Sequence, residues 1–562
     1  MKERYSGGAL AVHIFHGANR IKDARKLSDH DLVITTYATM VADYGGKKGA
    51  SMGSLNNPLA AIDWYRIVLD ESHTIKTPTT GQSLACMALT GQRRWCVTGT
   101  PIATDVGDLA AQMRFLRMEP WSSAPYFARK ARDVFGPTGH HSGDPMPMLY
   151  TLSRFMIRHT KQGTLGGAPV LSLPPVTESE VALVFSAEER RAYDVAHKAA
   201  VAQFEEFKSA GVASVNSKLL AIMALLLPLR RISSGGALSA AEISVPGLTD
   251  AAQARAASRA AAAAKGKGPA DAKPVLPSDA SEDESCGICG EPADDAVRTG
   301  CAHVFCRECL LSSLPANAAA ARCPTCDKAV DASALQAQAA EGEEEEEGGA
   351  GPSARGRACK APPPVALRSE SKLRALLREL EAMREADPSA KALVFSQYTG
   401  TLDWLKTRLT EEGFTYRTIS GSMPLKQRAA SIQAFQTAPP TTVFLLSVRS
   451  GAVGLNLTAA NYVFMMEPVL NQALQAQAIG RAWRLGQTRS VTVKHLFVKD
   501  SVEERIMQLN RDRAAGTGAA AGGASASALA AAKTKARVSD IAGAIRSDRA
   551  ALRLNELELL FS

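Results

Sequence analysis

Short β-branched apolar runs alternate with polar, helix-compatible stretches through the opening third of the chain: Leu32-Val33-Ile34-Thr35-Thr36-Tyr37, Ile67-Val68-Leu69 and Trp95-Cys96-Val97. Continuous apolar runs of this length suit strands covered on both faces, as in the parallel sheet of an α/β domain. The pattern stops near Ser233, where Ala, Gly, Ser and Pro take over, and a second biased stretch holds the acidic run Glu343 to Glu347 and the prolines Pro362 to Pro364. Neither stretch offers enough apolar surface for a core, so both read as linkers. The α/β pattern then returns, with Ala392-Leu393-Val394-Phe395, Val443-Phe444-Leu445-Leu446, Tyr462-Val463-Phe464-Met465 and Val491-Thr492-Val493 as strand candidates and helical periodicity from Leu373 to Met383. After Arg513 comes an Ala/Gly-rich spacer. The last apolar positions, Leu552, Leu554, Leu557, Leu559, Leu560 and Phe561, predict a helix that docks, on the second α/β lobe.

Composition narrows the class. A chain of 562 residues, 46% hydrophobic, holds two to four ordinary domains. No run of about eighteen or more apolar residues occurs, and no apolar segment with a cleavage site follows Met1, so the expectation is a soluble intracellular protein with no membrane partner. The formal charge of +9 permits a polyanionic partner without requiring one.

Seven of the ten cysteines fall between Cys286 and Cys326, in paired spacings that read as metal ligation rather than disulfides. The order is Cys286-x2-Cys289, Cys301-x-His303-x2-Cys306-x2-Cys309 and Cys323-x2-Cys326. Eight soft ligands make two closed tetrahedral sites, the coordination that structural Zn²⁺ takes.

A different chemistry flanks this module. Asp70-Glu71-Ser72-His73 follows the strand candidate Ile67 to Leu69, and the carboxyl end of a parallel strand is where nucleotides bind in such sheets. An acid there holds Mg²⁺ and its neighbour orients the attacking water, which gives Asp70 to the metal and Glu71 to the water. Thr98-Gly99-Thr100-Pro101, also at a strand end, offers small and hydroxylated residues to relay the nucleotide state. Gly451 and Gly454 follow the strand Val443 to Ser447 and would let backbone approach a ligand closely. Gln477-Ala478-Ile479-Gly480-Arg481-Ala482-Trp483-Arg484 places Arg481 and Arg484 at i and i+3, on one face if the segment is helical. Planar, permanently charged guanidiniums suit the equatorial oxygens of a transferring γ-phosphate.

The cysteine and histidine order resembles the RING finger. The resemblance implies that Cys286, Cys289, Cys306 and Cys309 share one zinc and that Cys301, His303, Cys323 and Cys326 share the other. It also implies contact with a ubiquitin-conjugating enzyme through Ile288 and Pro324. Asp327 follows the last ligand, with Lys328 one place on, where active ligases often carry Arg or Lys directly. A ubiquitin ligase and a purely structural or protein-binding zinc module both stand.

In order, the flanking blocks resemble the superfamily-two helicase motifs of SWI/SNF-type DNA-dependent ATPases, over most of residues 10 to 510. Asp70 to His73 is similar to the Walker B box, Thr98 to Pro101 to the next motif, and Arg154 to Lys161 to the region closing the first lobe. Lys391 to Gln397, Gly451 to Leu457 and Gln477 to Gln487 are similar to the second-lobe motifs. A RING between the halves resembles the helicase-like transcription factor and SHPRH-type branch. This implies an α/β fold of two RecA-like lobes with parallel sheets, ATP-driven movement on double-stranded DNA, and ubiquitin transfer. A repair or chromatin setting in the nucleus follows, with chromatin or a replication or repair factor as a further partner.

The expected division is 1–165 as a partial first lobe, 166–232 as a helical extension, 233–284 as a disordered linker and 285–328 as the RING. It continues with 329–366 as an acidic, Pro-rich linker, 367–510 as the second lobe, 511–537 as a spacer and 538–562 as a C-terminal helix. Two departures stand out. Ala103-Thr104 replaces the usual Gln-Asn, and Trp483 stands where His is common. No Gly-x-x-x-x-Gly-Lys-Ser/Thr phosphate loop occurs, so the chain is expected to begin inside the first lobe. A scaffold without ATP hydrolysis, or a zinc-dependent interaction protein, remains the alternative.

Overall fold

The computed structural model of the protein describes residues 10–17, 20–44, 57–101, 106–135, 146–157, 164–165, 168–211, 215, 219–245, 286, 296–299, 301, 303–306, 310, 322–323, 330, 365–419, 423, 425–437, 443–448, 454–515 and 554–562. They fall into two compact units. The first holds the described residues up to Leu152 and from Val297 to Val330, and the second those from Ser153 to Ala296 and from Val365 onward.

In the first unit, β1 (Val12–Ile14) runs parallel to β2 (Leu32–Ile34), and β3 (Asp63–Asp70) runs parallel to β4 (Thr90–Val97). Phe15, Leu27, Met40, Ile67, Leu69, Ile75, Cys86 and Phe115 form its apolar core. The run expected as one strand from Leu32 to Tyr37 stops at Ile34, because Thr36 caps the helix Tyr37–Tyr44: its hydroxyl accepts the Thr39 N–H at 3.1 Å.

The second unit is built on one six-stranded parallel sheet. Its strands, after the short antiparallel pair β5 (Thr164–Leu165) and β6 (Ala168–Pro169), begin with β7 (Val176–Leu183). Next in the chain come β8 (Gly236–Ser239), then the zinc-region strands β9 (Ala296–Arg298) and β10 (Val304–Cys306), which from Val297 on belong to the first unit, and β11 (Val365–Ser369), back in the second. There follow β12 (Ala392–Ser396), β13 (Tyr416–Ile419), β14 (Val443–Ser447), β15 (Tyr462–Met465) and β16 (Val491–Val498). The sheet order is β13-β14-β12-β15-β16-β7, with every pairing parallel. Chain order reverses around β12, the kind of switch point at whose carboxyl edge ligands bind in open α/β sheets.

Why the central strands read as unbroken apolar runs is visible in how they are covered. Ala392, Val394, Val443, Leu445 and Phe464 pack into one core. Their neighbours Leu393, Phe395, Phe444, Leu446, Val463 and Met465 pack into another on the opposite face. These are RecA-like parallel sheets of the α/β class.

Three expected boundaries move. Residues 166–232, expected as a helical extension, first contribute β7, the sixth strand of the sheet, in full register with β16. Its polar stretch Thr177-Glu178-Ser179-Glu180 hid it, since an edge strand exposes those side chains. The helices Ala187–Ser209 and Leu219–Ser234 follow. The linker expected from Ser233 begins later: β8 pairs antiparallel with β11, Gly236 opposite Ser369 and Ser239 opposite Val365, and Leu238 and Val245 are buried. Gly235 sits at φ +99, and a Cβ there would stand 3.0 Å from the Ser369 carbonyl, so glycine is what lets the chain turn into this ladder. The spacer expected from residue 511 is helical through Ala515.

The expected C-terminal helix appears as Leu554–Phe561, with residues 538–553 lying outside the described residues. It docks in the second unit against a helical core, with Leu557, Leu560 and Phe561 buried and Phe561 stacked on Phe204 at 4.4 Å. Among the described residues, no helix is long and apolar enough to cross a membrane.

Candidate functional site

The parallel pairing of β3 with β4 sets Asp70 opposite Val97, so the two candidate loops leave neighbouring strands at their carboxyl ends. Glu71 turns the chain off β3 in the left-handed region, at φ 47° and ψ 50°. Its N–H donates to Asp70 Oδ1 at 3.1 Å. The 3-10 turn Ser72–Ile75 then swings His73 across to the other loop. His73 Nδ1 lies 3.1 Å from Thr98 Oγ1, 3.3 Å from Thr100 Oγ1 and 3.3 Å from Glu71 Oε2. Thr98 Oγ1 also accepts the Thr100 N–H at 3.0 Å, which folds the turn around Gly99.

Two further residues brace these loops, and the sequence alone singled out neither for the site. The Tyr37 hydroxyl donates to the Asp70 carbonyl at 2.8 Å. Burial, then the nearby Cys86, Cys96, Asp70 and Glu71, pushes its phenol well above the usual range, which keeps it a proton donor. Gln112, on the helix Leu109–Phe115, accepts from the Ser72 hydroxyl at 3.2 Å and donates to the Pro101 carbonyl at 2.7 Å. The available signal was a glutamine among Leu109, Ala111, Met113 and Phe115, all buried; a polar side chain on such a face needs partners.

The second unit carries the arginines. Gln477 lies in the helix Gln472–Ile479, but Arg481 and Arg484 lie beyond its end, so the expected common helical face does not form. The Arg481 carbonyl, needed to continue a helix, accepts the Leu457 N–H at 3.1 Å. The Gln487 amide draws in the carbonyls of Thr458, Ala460 and Ala482 at 3.1, 2.8 and 3.1 Å. The result is a tight turn against the loop after β14, with Arg484 Nη1 donating to the Leu455 carbonyl at 3.0 Å. Gly454 opens that loop at φ +43 with open space around it; Gly451 lies outside the described residues.

In the zinc segment, the candidate ligand atoms of Cys301, His303 and Cys323 all lie within 4.8 Å of one another. His303 Nδ1 is 3.4 Å from Cys301 Sγ and 3.6 Å from Cys323 Sγ. A short backbone bond, Thr299 N–H to the His303 carbonyl at 2.9 Å, folds the two sides together. Two thiolates and an imidazole converging in this way suit Zn²⁺. Cys286 and Cys306 are buried. Cys289, Cys309, Cys326, Ile288 and Pro324 lie outside the described residues.

Comparison with known proteins matches three families in chain order. Residues 2–234 match the SNF2-related domain, residues 286–324 the RING-type zinc-finger and residues 371–486 the helicase conserved C-terminal domain. The chain is 33% identical to the DNA repair protein RAD5A of Arabidopsis thaliana, covering 89% of this chain and 47% of that protein. It is 33% identical to the helicase-like transcription factor of Mus musculus, covering 90% and 48%. It is also 31% identical to the DNA repair protein RAD5 of Cryptococcus neoformans var. neoformans, covering 90% and 45%. The chain thus spans about half the length of the curated relatives it matches.

Proposed function

The chain belongs to the SWI/SNF-type helicase-like proteins that carry a RING-type zinc finger, and on that premise we propose that it works in an ATP-driven motor on double-stranded DNA that also transfers ubiquitin. The observation that carries the motor half is the His73 bridge, which joins the Asp70-Glu71 loop to the Thr98 to Thr100 turn at adjacent strand ends. A hydrolysed γ-phosphate changes charge and hydrogen bonding at such strand ends, and a shared imidazole passes that change from one loop to the next.

In this reading Asp70 holds Mg²⁺ and Glu71 orients the attacking water. His73, Thr98, Gly99 and Thr100 relay the nucleotide state, and Arg481 and Arg484 neutralise the transferring phosphate. Gly451, Gly454 and Gln477 shape the second-lobe side of the nucleotide. Two structural Zn²⁺ ions order the RING, and Ile288 with Pro324 meets the conjugating enzyme. The lobes correspond to residues 1–165 and 367–510 with β7 added, the RING to 285–328, and the place of work is the nucleus, on chromatin or with repair factors.

Phosphate release by the full chain, with and without double-stranded DNA, tests the motor. DNA-stimulated release that is lost in Glu71→Gln and in Arg481→Ala is the expected result; stimulation unchanged in Arg481→Ala would sink the mechanism. Ubiquitin chain formation with a conjugating enzyme, lost in Cys301→Ser, tests the ligase. One sequence feature favours a second reading: without a phosphate-loop segment, the chain acts as a scaffold that binds DNA and a conjugating enzyme. DNA binding and ubiquitin transfer with no phosphate release would select it.

A further inference from the structure

The turn that carries Arg481 and Arg484 is fastened at a point the roles above do not use. Between the two arginines stands Trp483, and its indole N–H donates to the Pro174 carbonyl at 2.9 Å. The next carbonyl, of Pro175, accepts the Val491 N–H at 3.0 Å, and Val491 opens the β16 ladder opposite Val176 of β7. The indole also packs with Val176, Leu455 and Leu474 against one apolar core. Trp483 therefore ties the segment just ahead of β7 to the apolar core that the loop held by Arg484, through Leu455, and the preceding helix, through Leu474, also pack against.

Pro174 is a suitable anchor. Its φ is fixed by its ring, and Pro175 after it excludes helical backbone, so the carbonyl direction varies little. The chain comes into the second unit after Leu152 and reaches Pro174 before it joins the sheet. A donor aimed at that carbonyl ties the incoming chain to the arginine turn. An indole N–H has one direction and no acceptor function, so the tie is made in one geometry.

We propose that Trp483 is a positioning residue that couples the incoming chain at Pro174 to the arginine turn, so that Arg481 and Arg484 are held in register with the segment arriving from the first unit. This rests on the reading of those arginines as phosphate ligands, because only then does their register with that segment affect turnover. Losing the tie keeps both charges but displaces them, which slows the chemical step without weakening nucleotide binding.

The test uses the full chain with Trp483→Phe, which removes the donor and keeps most of the apolar surface, and Trp483→His, which restores a ring N–H. Amide exchange is followed in the peptides holding Val176–Leu183 and Gly480–Val491, with Ala392–Ser396 and Val443–Ser447 as controls. In Trp483→Phe, exchange rises together in both test segments by about fivefold or more, the controls stay level, and Trp483→His recovers part of the protection. Turnover with DNA and ATP falls about tenfold in Trp483→Phe while KM for ATP stays within about twofold. A rise confined to Gly480–Val491, or no rise, overturns the coupling. Coupled exchange with unchanged turnover overturns the positioning role. A wild-type chain that does not turn over ATP refutes the phosphate reading, and with it the positioning role, while the exchange result still decides the coupling.

Discussion

His73 Nδ1 stands 3.1 Å from the Thr98 hydroxyl and 3.3 Å from the Thr100 hydroxyl, so one imidazole spans two loops that sequence places some twenty-five positions apart. The spacing follows from β3 and β4 lying side by side with Asp70 opposite Val97. A ring of this kind contributes little to stability at a partly exposed site; in the proposed function its part is to let one loop sense the other.

His73→Ala is expected to separate those two properties. DNA-stimulated phosphate release falls about tenfold, while the melting temperature of the first unit moves by no more than about 2 °C. Stopped-flow phosphate release and calorimetry on the same preparations check both. A large melting shift with unaltered release would assign His73 to stability instead.

Gln112 makes the opposite prediction. Ser72 is fully buried, and Gln112→Leu leaves its hydroxyl and the Pro101 carbonyl without the amide that now bridges them. The expected cost is about 1–3 kcal/mol to the first unit, the penalty for removing a hydrogen-bond partner from a buried and a partly buried polar group. Adding Ser72→Ala to Gln112→Leu recovers part of that cost, because the buried hydroxyl that lost this acceptor is gone. Urea melts of the two single variants and the double variant measure the coupling; strict additivity would contradict a direct bond.

Acid sensitivity of the second unit should trace to Glu189. Its carboxylate accepts from Ser186 N–H at 2.7 Å, Ser369 Oγ at 2.9 Å, Glu370 N–H at 2.8 Å and Ser371 N–H at 3.1 Å. Burial alone would raise this acid, but hydrogen bonds from Ser371, Ser186 and Ser369 outweigh it and hold the group below the usual glutamate range. A depressed carboxyl gives full stabilisation above its unfolded value of about 4.3 and loses it as pH falls through the lower folded value. Wild type is therefore more stable than Glu189→Gln at neutral pH, and the gap narrows below about pH 4.3. Melting curves across that range check it, and a gap that stays constant into strong acid would count against the assignment.

Zinc removal should act locally. Chelation of the full chain is expected to release about two zinc ions per chain, as the eight-ligand order requires, and to raise amide exchange around Cys301, His303 and Cys323. Exchange in β12 and β14 stays unchanged, because their cover comes from the second unit's own cores. A colorimetric zinc assay paired with exchange mass spectrometry reads both, and collapse of the β12 sheet on chelation would contradict the insertion.

What could be read from the sequence follows from burial. Strands covered on both faces, such as Ala392–Ser396 and Val443–Ser447, announce themselves because every position is apolar. Strand β7 did not, since at a sheet edge Glu178, Ser179 and Glu180 remain exposed and the pattern resembles a loop. Ser233 to Val245 looked like a linker by composition, yet Leu238 and Val245 reach the core. The same divide runs through the site. Asp70, His73, Thr98 and the paired cysteines stand out as candidates in the sequence because their spacing is a matter of local order. Gln112, Tyr37 and the turn that lifts Arg481 off its helix depend on partners distant in the chain, which no local pattern encodes.

The ladder in which Gly236 faces Ser369 and Ser239 faces Val365 gives the chain between them a shared doorway. Whatever is spliced there leaves and returns one strand-spacing apart, so its length is absorbed outside the sheet, and lengthening it adds only the slow logarithmic cost of a larger loop. The second unit can thus carry inserts of different length at this address without re-registering a single core strand.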